Sequence, residues 1–341
     1  MLSGHGDDLF RYGGKIKMNF SSNLPGFADL TGLKVHLSAH LNAIAAYPEP
    51  EPTALEAMLA DSLRLPRECV MVTAGATEAI YLIAQLFRGW TSVIPQPTFS
   101  EYEDACRMNG HIVSYDDNGD GKKVCWLCNP NNPTGIVTPT AVISRTVREH
   151  PDSLFVIDQS YESYTQKAVL QPVEVQDCHN LILVHSMTKQ YCIPGLRLGY
   201  VTASPALIGR LRQLRQPWTV NALAIEAGKY LVGNSVEVIP DKQAYMKEAK
   251  RLHTNLSHLS GLRLTDSDTN FMLAYLENGS AAHLKQWLVE HHGILIRDAS
   301  NFRGLDYRHF RVSAQTPDEN DTLVSAVGAY LQHHVFLLPF P

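Results

Sequence analysis

What the sequence lacks narrows its function before any motif is considered. Lysine and arginine number 29 against 34 aspartates and glutamates, giving a formal net charge of −5 over 341 residues. A nucleic-acid surface requires a basic excess, which this composition does not supply. No apolar run approaches the roughly 18 residues that a membrane-spanning helix needs. The first ten residues also lack the basic segment and apolar stretch of a signal peptide, so we expect a cytoplasmic protein.

The cysteines and histidines also lack the spacings that are typical of metal sites. Cys125 and Cys128 form a CxxC pair inside a strand-like run, and the alternation of side chains along a strand sends them to opposite faces. They therefore cannot easily converge on one ion. The fifteen histidines form no HExxH motif, and the pair His36 and His40 has no obvious third ligand. The sequence accordingly predicts no metal site.

The middle of the chain alternates strand-like and helical segments. Short β-rich runs occupy residues 70–75, 91–97, 111–116, 124–129, 154–160, 181–187 and 197–203. Most of them are apolar on both faces, and amphipathic helical segments separate several of them. This pattern predicts an α/β fold in which a mostly parallel seven-stranded sheet is sandwiched by helices. Ligands of such sheets bind beyond the carboxyl ends of the strands.

The pattern changes after Ser235. A helical stretch over 236–256 precedes alternating segments at 262–276, 294–298 and 310–313 and helical segments at 281–291 and 317–333. These features are typical of a separate α+β domain. Because 341 residues exceed one comfortable core, we expect a large domain over 35–235 and a smaller one over 236–341. An N-terminal arm over 1–34 is expected to join the smaller domain.

Two strand ends carry features that suit a phosphate or a phenolate. In the segment Thr73–Glu78, the turn at Gly75 leads into a helix whose first N–H groups would favour an anion. An ordinary capped helix has the same appearance. Asn132 lies in the loop NPNNPTG, which two prolines and a glycine make rigid. Its amide is placed to donate to a phenolate oxygen, although such loops are often only turns.

Two further strand ends carry charged side chains. Asp158 ends an apolar strand, either as a helix cap or as a buried charge that requires a cation, such as a protonated pyridine nitrogen. Lys189 follows another apolar run, where a surface position is the usual expectation. Here Ser186, Thr188 and Arg197 can converge on a phosphate, while the apolar neighbours of Lys189 favour a neutral amine that can form an imine.

The order of the motifs AGATEA, NPNNPTG, ID..Y, SMTK and PGLRLGY resembles the fold-type I aminotransferase family, classes I and II, over nearly the whole chain. The resemblance implies the PLP transferase fold and pyridoxal 5'-phosphate (PLP) as cofactor, carried as a Schiff base on Lys189. It implies that Asp158 pairs with the pyridine nitrogen and that Asn132 and Tyr161 contact the ring hydroxyl. Phe99 would stack on the ring. The cofactor phosphate would be bound by Gly75, Ala76, Thr77, Ser186, Thr188 and Arg197.

The same resemblance extends to the substrate and to the assembly. Arg311 and Asn23 match family positions that bind the substrate carboxylate, although a surface arginine and a turn asparagine are the simpler interpretations. Tyr47 matches a tyrosine that reaches the cofactor phosphate of a neighbouring subunit, which implies a homodimer.

Two subgroups of the family resemble the chain most. The segments NFSSNLPG, PWTVNALA and 294–313 are similar to L-threonine-O-3-phosphate decarboxylases of cobalamin biosynthesis, and histidinol-phosphate aminotransferases are the alternative. In both, Arg297 would bind a substrate phosphate, with help from His5. Where the decarboxylases read HGG, this chain has Asp7, so either that carboxylate points away from the site or the substrate differs. A non-catalytic PLP-fold binding module is disfavoured because Lys189, Asp158 and Arg197 are intact.

Overall fold

The computed structural model describes residues 7–116 and 122–334. Within these residues the strands are β1 (Met18–Asn19), β2 (Val70–Thr73), β3 (Thr91–Val93), β4 (Ile112–Ser114), β5 (Lys123–Cys128), β6 (Leu154–Asp158), β7 (Leu181–His185), β8 (Gly199–Ala203), β9 (Leu262–Leu264), β10 (Phe271–Leu276), β11 (Ile294–Leu295), β12 (Arg297–Asp298) and β13 (His309–Ser313).

The helices of the same residues are α1 (Thr31–Ala39), α2 (Thr53–Leu63), α3 (Gly75–Leu86), α4 (Glu101–Met108), α5 (Thr140–Glu149), α6 (Met187–Gln190), α7 (Pro205–Arg212), α8 (Ala222–Gly233), α9 (Lys242–Ser257), α10 (Ala281–His292) and α11 (Pro317–His334). None of these helices is long and apolar enough to cross a membrane.

Seven strands form the central sheet in the order β2-β8-β7-β6-β5-β3-β4. The pairs from β7 to β4 are all parallel, and β8 runs antiparallel to both of its neighbours, β7 and β2. The prediction of a mostly parallel seven-stranded sheet is therefore confirmed. Because β5, β6 and β7 are adjacent and parallel, their carboxyl ends lie at one edge, where Cys128 pairs with Asp158 and Asp158 with Val184.

Apolar side chains cover both faces of this sheet. In β6, Val156 packs in one cluster with side chains of α3, α4 and α7, while Phe155 and Ile157 pack in another with Ile143 and Val147 of α5. Burying each such side chain contributes about 1.5–3 kcal/mol, so the alternation stabilises a helix layer on each side. Cys125 and Cys128 follow the same alternation: they contact opposite clusters, as the sequence predicted, and both are free thiols.

A second sheet has the order β12-β13-β10-β9 and is antiparallel throughout. One cluster joins its apolar side chains to those of α9, α10 and α11. The N-terminal segment attaches here as well, because β1 pairs in parallel with β11, Met18 opposite Ile294. The division of the chain into domains at residues 35 and 236 stays a prediction.

One predicted helix starts later than the sequence suggested. The stretch over 236–256 was expected to be helical throughout, but α9 begins at Lys242. Pro240 lacks the backbone N–H that a helix interior needs, and Asp241 caps α9 by accepting a hydrogen bond from the Ala244 N–H at 2.8 Å. The segment before Asp241 instead buries Val238 and Ile239 in the core.

Candidate active site

A cavity of about 410 Å³ opens at the carboxyl ends of β5, β6 and β7. Its size is within the range of small-molecule sites, which run from about 300 to 1,000 Å³. Most of the residues that the sequence nominated line it: Ala76, Thr77, Phe99, Asn132, Asp158, Tyr161, Ser186, Thr188, Lys189, Arg197, Arg297 and Arg311.

One wall of the cavity is built to hold an anion. Helix α3 begins at Gly75, one residue after β2 ends, so its first turn, whose N–H groups have no partner within the helix, lies beside the Arg197 guanidinium. Gly75 has φ +80°, and a Cβ atom there would lie 2.8 Å from Nη2 of Arg197, so glycine is required for this close approach. Ser186 caps α6, and Thr188 Oγ1 accepts from Arg197 Nη1 at 3.5 Å. Backbone donors, hydroxyls and a guanidinium together suit a phosphate.

Lys189 projects from α6 into the cavity, where its Nζ donates to the carbonyl of Ser22 at 3.1 Å and lies 5.8 Å from the centre of the Tyr161 ring. Burial lowers the pKa of Lys189 to about 8, and the positive charges of Arg311 and Arg197 act in the same direction. About one tenth of the amine is therefore neutral at pH 7, far more than for an ordinary lysine. A neutral amine is the form that attacks a carbonyl carbon.

Asp158 is buried at the end of β6. Its Oδ2 accepts from the Tyr102 hydroxyl at 2.7 Å and its Oδ1 from the Ser160 N–H at 2.9 Å. Burial raises the pKa of Asp158, and the hydrogen bonds from Ser160 and Tyr102 oppose that rise. A buried carboxylate at a cavity wall gains most from a cationic partner, such as a protonated ring nitrogen.

Arg311 enters the cavity from β13 of the second sheet. Its Nη1 donates to Asn132 Oδ1 and its Nη2 to the carbonyl of Ser21 at 2.7 Å, while its buried Nε has no hydrogen-bond partner within the described residues. Burial lowers the pKa of Arg311 to about 10. Burial also raises the pKa of the adjacent Tyr161 to about 12, against the opposing charge of Arg311. An anionic ligand would compensate the buried guanidinium.

Arg297 lies beside Arg311. The two residues are direct partners across the antiparallel pair β12–β13, which puts their side chains on the same face of the sheet. Nη2 of Arg297 donates to Asn301 Oδ1 at 2.6 Å, and the guanidinium lies 5.5 Å from the centre of the Phe302 ring. Burial lowers the pKa of Arg297 to about 10, against the charges of Asp298 and Asp8.

Asp7 corrects one expectation. It lines the cavity, and its carboxylate acts to raise the pKa of Lys189, so of the two alternatives the one in which it points away from the site is wrong, and a different substrate stays the other alternative. Asn19 Nδ2 donates to its Oδ1 at 2.6 Å. The residue has φ 64°, a conformation that glycine adopts readily.

Other nominated residues lie outside the cavity lining. Gly75 does not line the cavity itself, but its lack of a side chain leaves room for the Arg197 guanidinium. Asn23 is fully buried next to the Tyr161 side chain, behind the wall. Tyr47 is 87% exposed, and its ring centre lies 5.4 Å from that of Trp218. His5 lies outside the described residues.

The sequence reasoning did not single out Tyr102, Ser21, Asn301 or Phe302, all of which line the cavity. A signal for Tyr102 existed, because it is an aromatic residue three positions after Phe99, and the two rings are in edge contact with their centres 5.7 Å apart. The carbonyl of Ser21 had no such signal, since any residue can provide a backbone oxygen.

The chain belongs to the family described as aminotransferase class I and II, whose model matches residues 15–327. Members of this family depend on PLP. The crystal structure of L-threonine-O-3-phosphate decarboxylase from Porphyromonas gingivalis is similar to this chain, with 40% identity and a TM-score of 0.88 over 92% of this chain and 99% of that one.

Two curated relatives extend the comparison. The threonine-phosphate decarboxylase of Salmonella typhimurium is 27% identical over 91% of this chain and 90% of its own length. A histidinol-phosphate aminotransferase of Symbiobacterium thermophilum is 29% identical over 86% of this chain and 84% of its own. The predicted family, enzyme class and PLP transferase fold are confirmed by these matches.

The residues of the cavity fit PLP. An anion-binding wall, a lysine with a lowered pKa and a buried carboxylate surround one space, and these correspond in chemistry to a phosphate, an aldehyde and a pyridine nitrogen. The buried carboxylate of Asp158 is the most specific of these features, because such a group is retained only where it meets a partner.

Proposed function

We propose that this chain decarboxylates L-threonine O-3-phosphate to 1-amino-2-propanol phosphate in a PLP-dependent reaction that belongs to cobalamin biosynthesis. The carrying observation is the cross-strand pair Arg297 and Arg311, two buried guanidiniums that face one cavity with Lys189. Like charges placed directly opposite destabilise a sheet unless they are compensated. A small substrate that carries both a carboxylate and a phosphate supplies two anions at short separation.

In this proposal, Lys189 carries the cofactor. Asp158 pairs with its ring nitrogen, Asn132 and Tyr161 contact its ring hydroxyl, and Phe99 stacks on the ring. The phosphate contacts come from residues of the anion-binding wall: Gly75, Ala76, Thr77, Ser186, Thr188 and Arg197. When bound, PLP supplies an electron sink for the pair of electrons that remains on Cα after a bond to that atom breaks.

The substrate side then has three tasks. Arg311 binds the carboxylate, with Asn23 behind it, and Arg297 binds the phosphate through a planar fork of donors, with His5 as a further contact. Once the carboxylate has been lost from Cα as carbon dioxide, the protonated Nζ of Lys189 would return a proton to Cα. The wall formed by Phe302 and Phe99 limits the access of water to that atom.

A transaminase that acts on histidinol phosphate is the second candidate, since the relative from Symbiobacterium thermophilum bears that name at 29% identity. Both reactions use the same cofactor contacts. Histidinol phosphate has one phosphate and no carboxylate, so it would pair with only one guanidinium of the arginine pair, and the second would be compensated only in the half-reaction with the dicarboxylate that exchanges the amino group.

We also propose that the protein works in the cytoplasm as a homodimer in which Tyr47 reaches the cofactor phosphate of the partner subunit. Tyr47 belongs to a set of exposed apolar side chains along the α1 side of the molecule, which also includes Val35, Leu41, Ile44 and Trp218. Exposed apolar surface of this kind is typical of an interface. Analytical ultracentrifugation tests this: a monomer at micromolar concentration would contradict it.

The activity is tested by product analysis with L-threonine O-3-phosphate, with and without 2-oxoglutarate. We expect carbon dioxide and 1-amino-2-propanol phosphate in equal amounts, independent of the keto acid. Glutamate that forms only when histidinol phosphate is offered would establish the transaminase instead. If neither substrate reacts while the holoenzyme forms normally, both candidates are wrong.

The assignment of Lys189 has its own test. After treatment with borohydride and denaturing dialysis, the wild-type chain should retain covalently attached cofactor, as measured by intact mass. Lys189→Ala should retain none, and Lys167→Ala, a change at an exposed lysine, should behave as wild type. Retention by the Lys189 variant would contradict the assignment.

A further inference from the structure

Three possible metal ligands meet on the side of the molecule formed by α1 and α8. His36 lies in α1, His40 caps its end, and Glu226 lies in the second turn of α8. One nitrogen or carboxylate oxygen from each lies within 4.8 Å of the other two. The sequence showed the histidine pair four residues apart without a third ligand, and the packing of α1 on α8 supplies it.

The histidine rings are already oriented. Nδ1 of His40 lies 2.8 Å from the carbonyl oxygen of His36, and because a carbonyl only accepts, this nitrogen carries the proton of the neutral ring. Its Nε2 therefore has the free electron pair. Metal-bound histidines commonly donate their second nitrogen to a carbonyl in this way, which fixes tautomer and ring orientation.

His36 and Glu226 show a complementary arrangement. Nε2 of His36 is shielded from solvent without a hydrogen-bond partner within the described residues, and it lies 4.0 Å from Oε2 of Glu226. Lys229 occupies the other oxygen, Oε1, at 3.2 Å. The ring of His36 stacks against those of His40, with ring centres 4.1 Å apart, and Tyr230, with ring centres 4.7 Å apart.

We propose that His36, His40 and Glu226 bind a zinc ion. Two imidazoles and one carboxylate form a common ligand set for Zn²⁺, with bonds of about 2.0–2.2 Å and a fourth position for water. Tetrahedral coordination at those bond lengths requires ligand atoms about 3.3 Å apart. The 4.0 Å between Nε2 of His36 and Oε2 of Glu226 is longer than this value, and the other pairs lie within 4.8 Å, so the side chains must rotate toward one another to bind the ion.

The ion would connect helix α1 to helix α8. None of the three ligands lines the active-site cavity, so the site is independent of the proposed decarboxylation. It would stabilise the position of α1 without taking part in the chemistry.

The test uses metal-depleted holoenzyme and a zinc titration in competition with a chromogenic chelator. We expect one zinc ion per chain. His40→Ala and Glu226→Gln should each weaken the affinity at least about tenfold, whereas His258→Ala, at an exposed histidine of another surface, should not change it. Cobalt substitution provides a second readout, because tetrahedral Co²⁺ with these ligands gives visible absorption bands that the variants should lose.

A wild-type chain that binds no zinc under these conditions overturns the proposal, whatever the variants do. Binding that survives unchanged in both ligand variants also overturns it, because the ion then occupies another site. Circular dichroism of each variant confirms that it is folded, and the conservative Glu226→Gln change decides the outcome if His40→Ala is not.

Discussion

The two halves of the cavity are built in different ways. The part that we propose binds PLP, the cofactor half, contains Asp158, Ser186 and Lys189 and lies at or just beyond the ends of adjacent strands of one buried sheet. The part that we propose binds the substrate, the substrate half, brings Arg311 to Ser21, which is 290 positions away in the chain. The first half therefore has its geometry from a rigid scaffold, and the second depends on the association of both ends of the chain.

The two halves also differ in how their buried charges are compensated. In the cofactor half, the buried carboxylate of Asp158 already receives two hydrogen bonds. In the substrate half, two neighbouring guanidiniums are buried and one of them, Arg311, retains an unpartnered nitrogen among the described residues. The substrate half is thus the part that gains most when its ligand binds.

The largest expected effect is in the cofactor half. Asp158→Asn should lower kcat by about 10³-fold, the upper range for removal of one electrostatic stabiliser, with little change in KM. Tyr102→Phe, which removes one hydrogen bond to that carboxylate, should cost about tenfold in kcat. Steady-state kinetics with L-threonine O-3-phosphate measures both, and a loss confined to KM would contradict this role for Asp158.

Substitutions in the substrate half should weaken the use of substrate without weakening the binding of PLP. Arg297→Gln and Arg311→Gln should each lower kcat/KM by about 10²-fold, because each leaves one anionic group without a buried charge partner. The affinity for PLP, measured by fluorescence titration, should remain within a factor of a few. If PLP affinity falls as much as kcat/KM, the two halves are not separable.

The pH dependence of PLP attachment should show whether Lys189 in the cofactor half interacts with Arg311 in the substrate half. Because burial lowers the pKa of Lys189 to about 8, the rate of PLP attachment to the cofactor-free protein should rise about tenfold per pH unit below pH 8 and level off above it. Arg311→Gln removes a positive charge that acts in the same direction, so the midpoint should move to higher pH. Stopped-flow absorbance measures the profile, and an unchanged midpoint would show that the two residues do not interact.

The smallest effect is expected at Asp7. Asp7→Gly removes a carboxylate from the cavity wall near Lys189, and glycine adopts its φ of 64° without strain. KM for the phosphorylated substrate should fall about two- to fivefold, the size of a screened charge interaction at short range. Asp7→Asn retains the shape but removes the charge and should give the same change. A rise in KM would mean that Asp7 binds the substrate.

The sequence was sufficient for the cofactor half because each of its side chains follows a recognisable local pattern. Asp158 ends an apolar strand, Lys189 follows another, and parallel strands bring such ends together. The seven strands could be predicted for the same reason, since their apolar runs are continuous. The late start of α9 was missed although Pro240 marked it.

The substrate half and the position of Glu226 could not be predicted, because they depend on contacts between distant segments of the chain. The pairing of Arg297 with Arg311 requires the register of two strands, and the carbonyl of Ser21 carries no residue-specific signal. Glu226 lies 190 positions after His36 and 186 after His40, so only the packing of α1 on α8 could identify it as a third ligand. Asp7 was expected either to point away from the site or to indicate a different substrate, because its charge was considered without the neighbouring cations.

The hydrogen bond between Arg311 and Ser21 also has a consequence for how the protein is made. Ser21 emerges from the ribosome early, but its partner is synthesised 290 residues later. At about 5–20 residues per second, the N-terminal segment waits roughly 15 to 60 seconds before the second sheet can receive it. All seven strands of the central sheet are complete by Ala203, so the side of the cavity that carries Asp158 and Lys189 is synthesised well before the strand that carries Arg311.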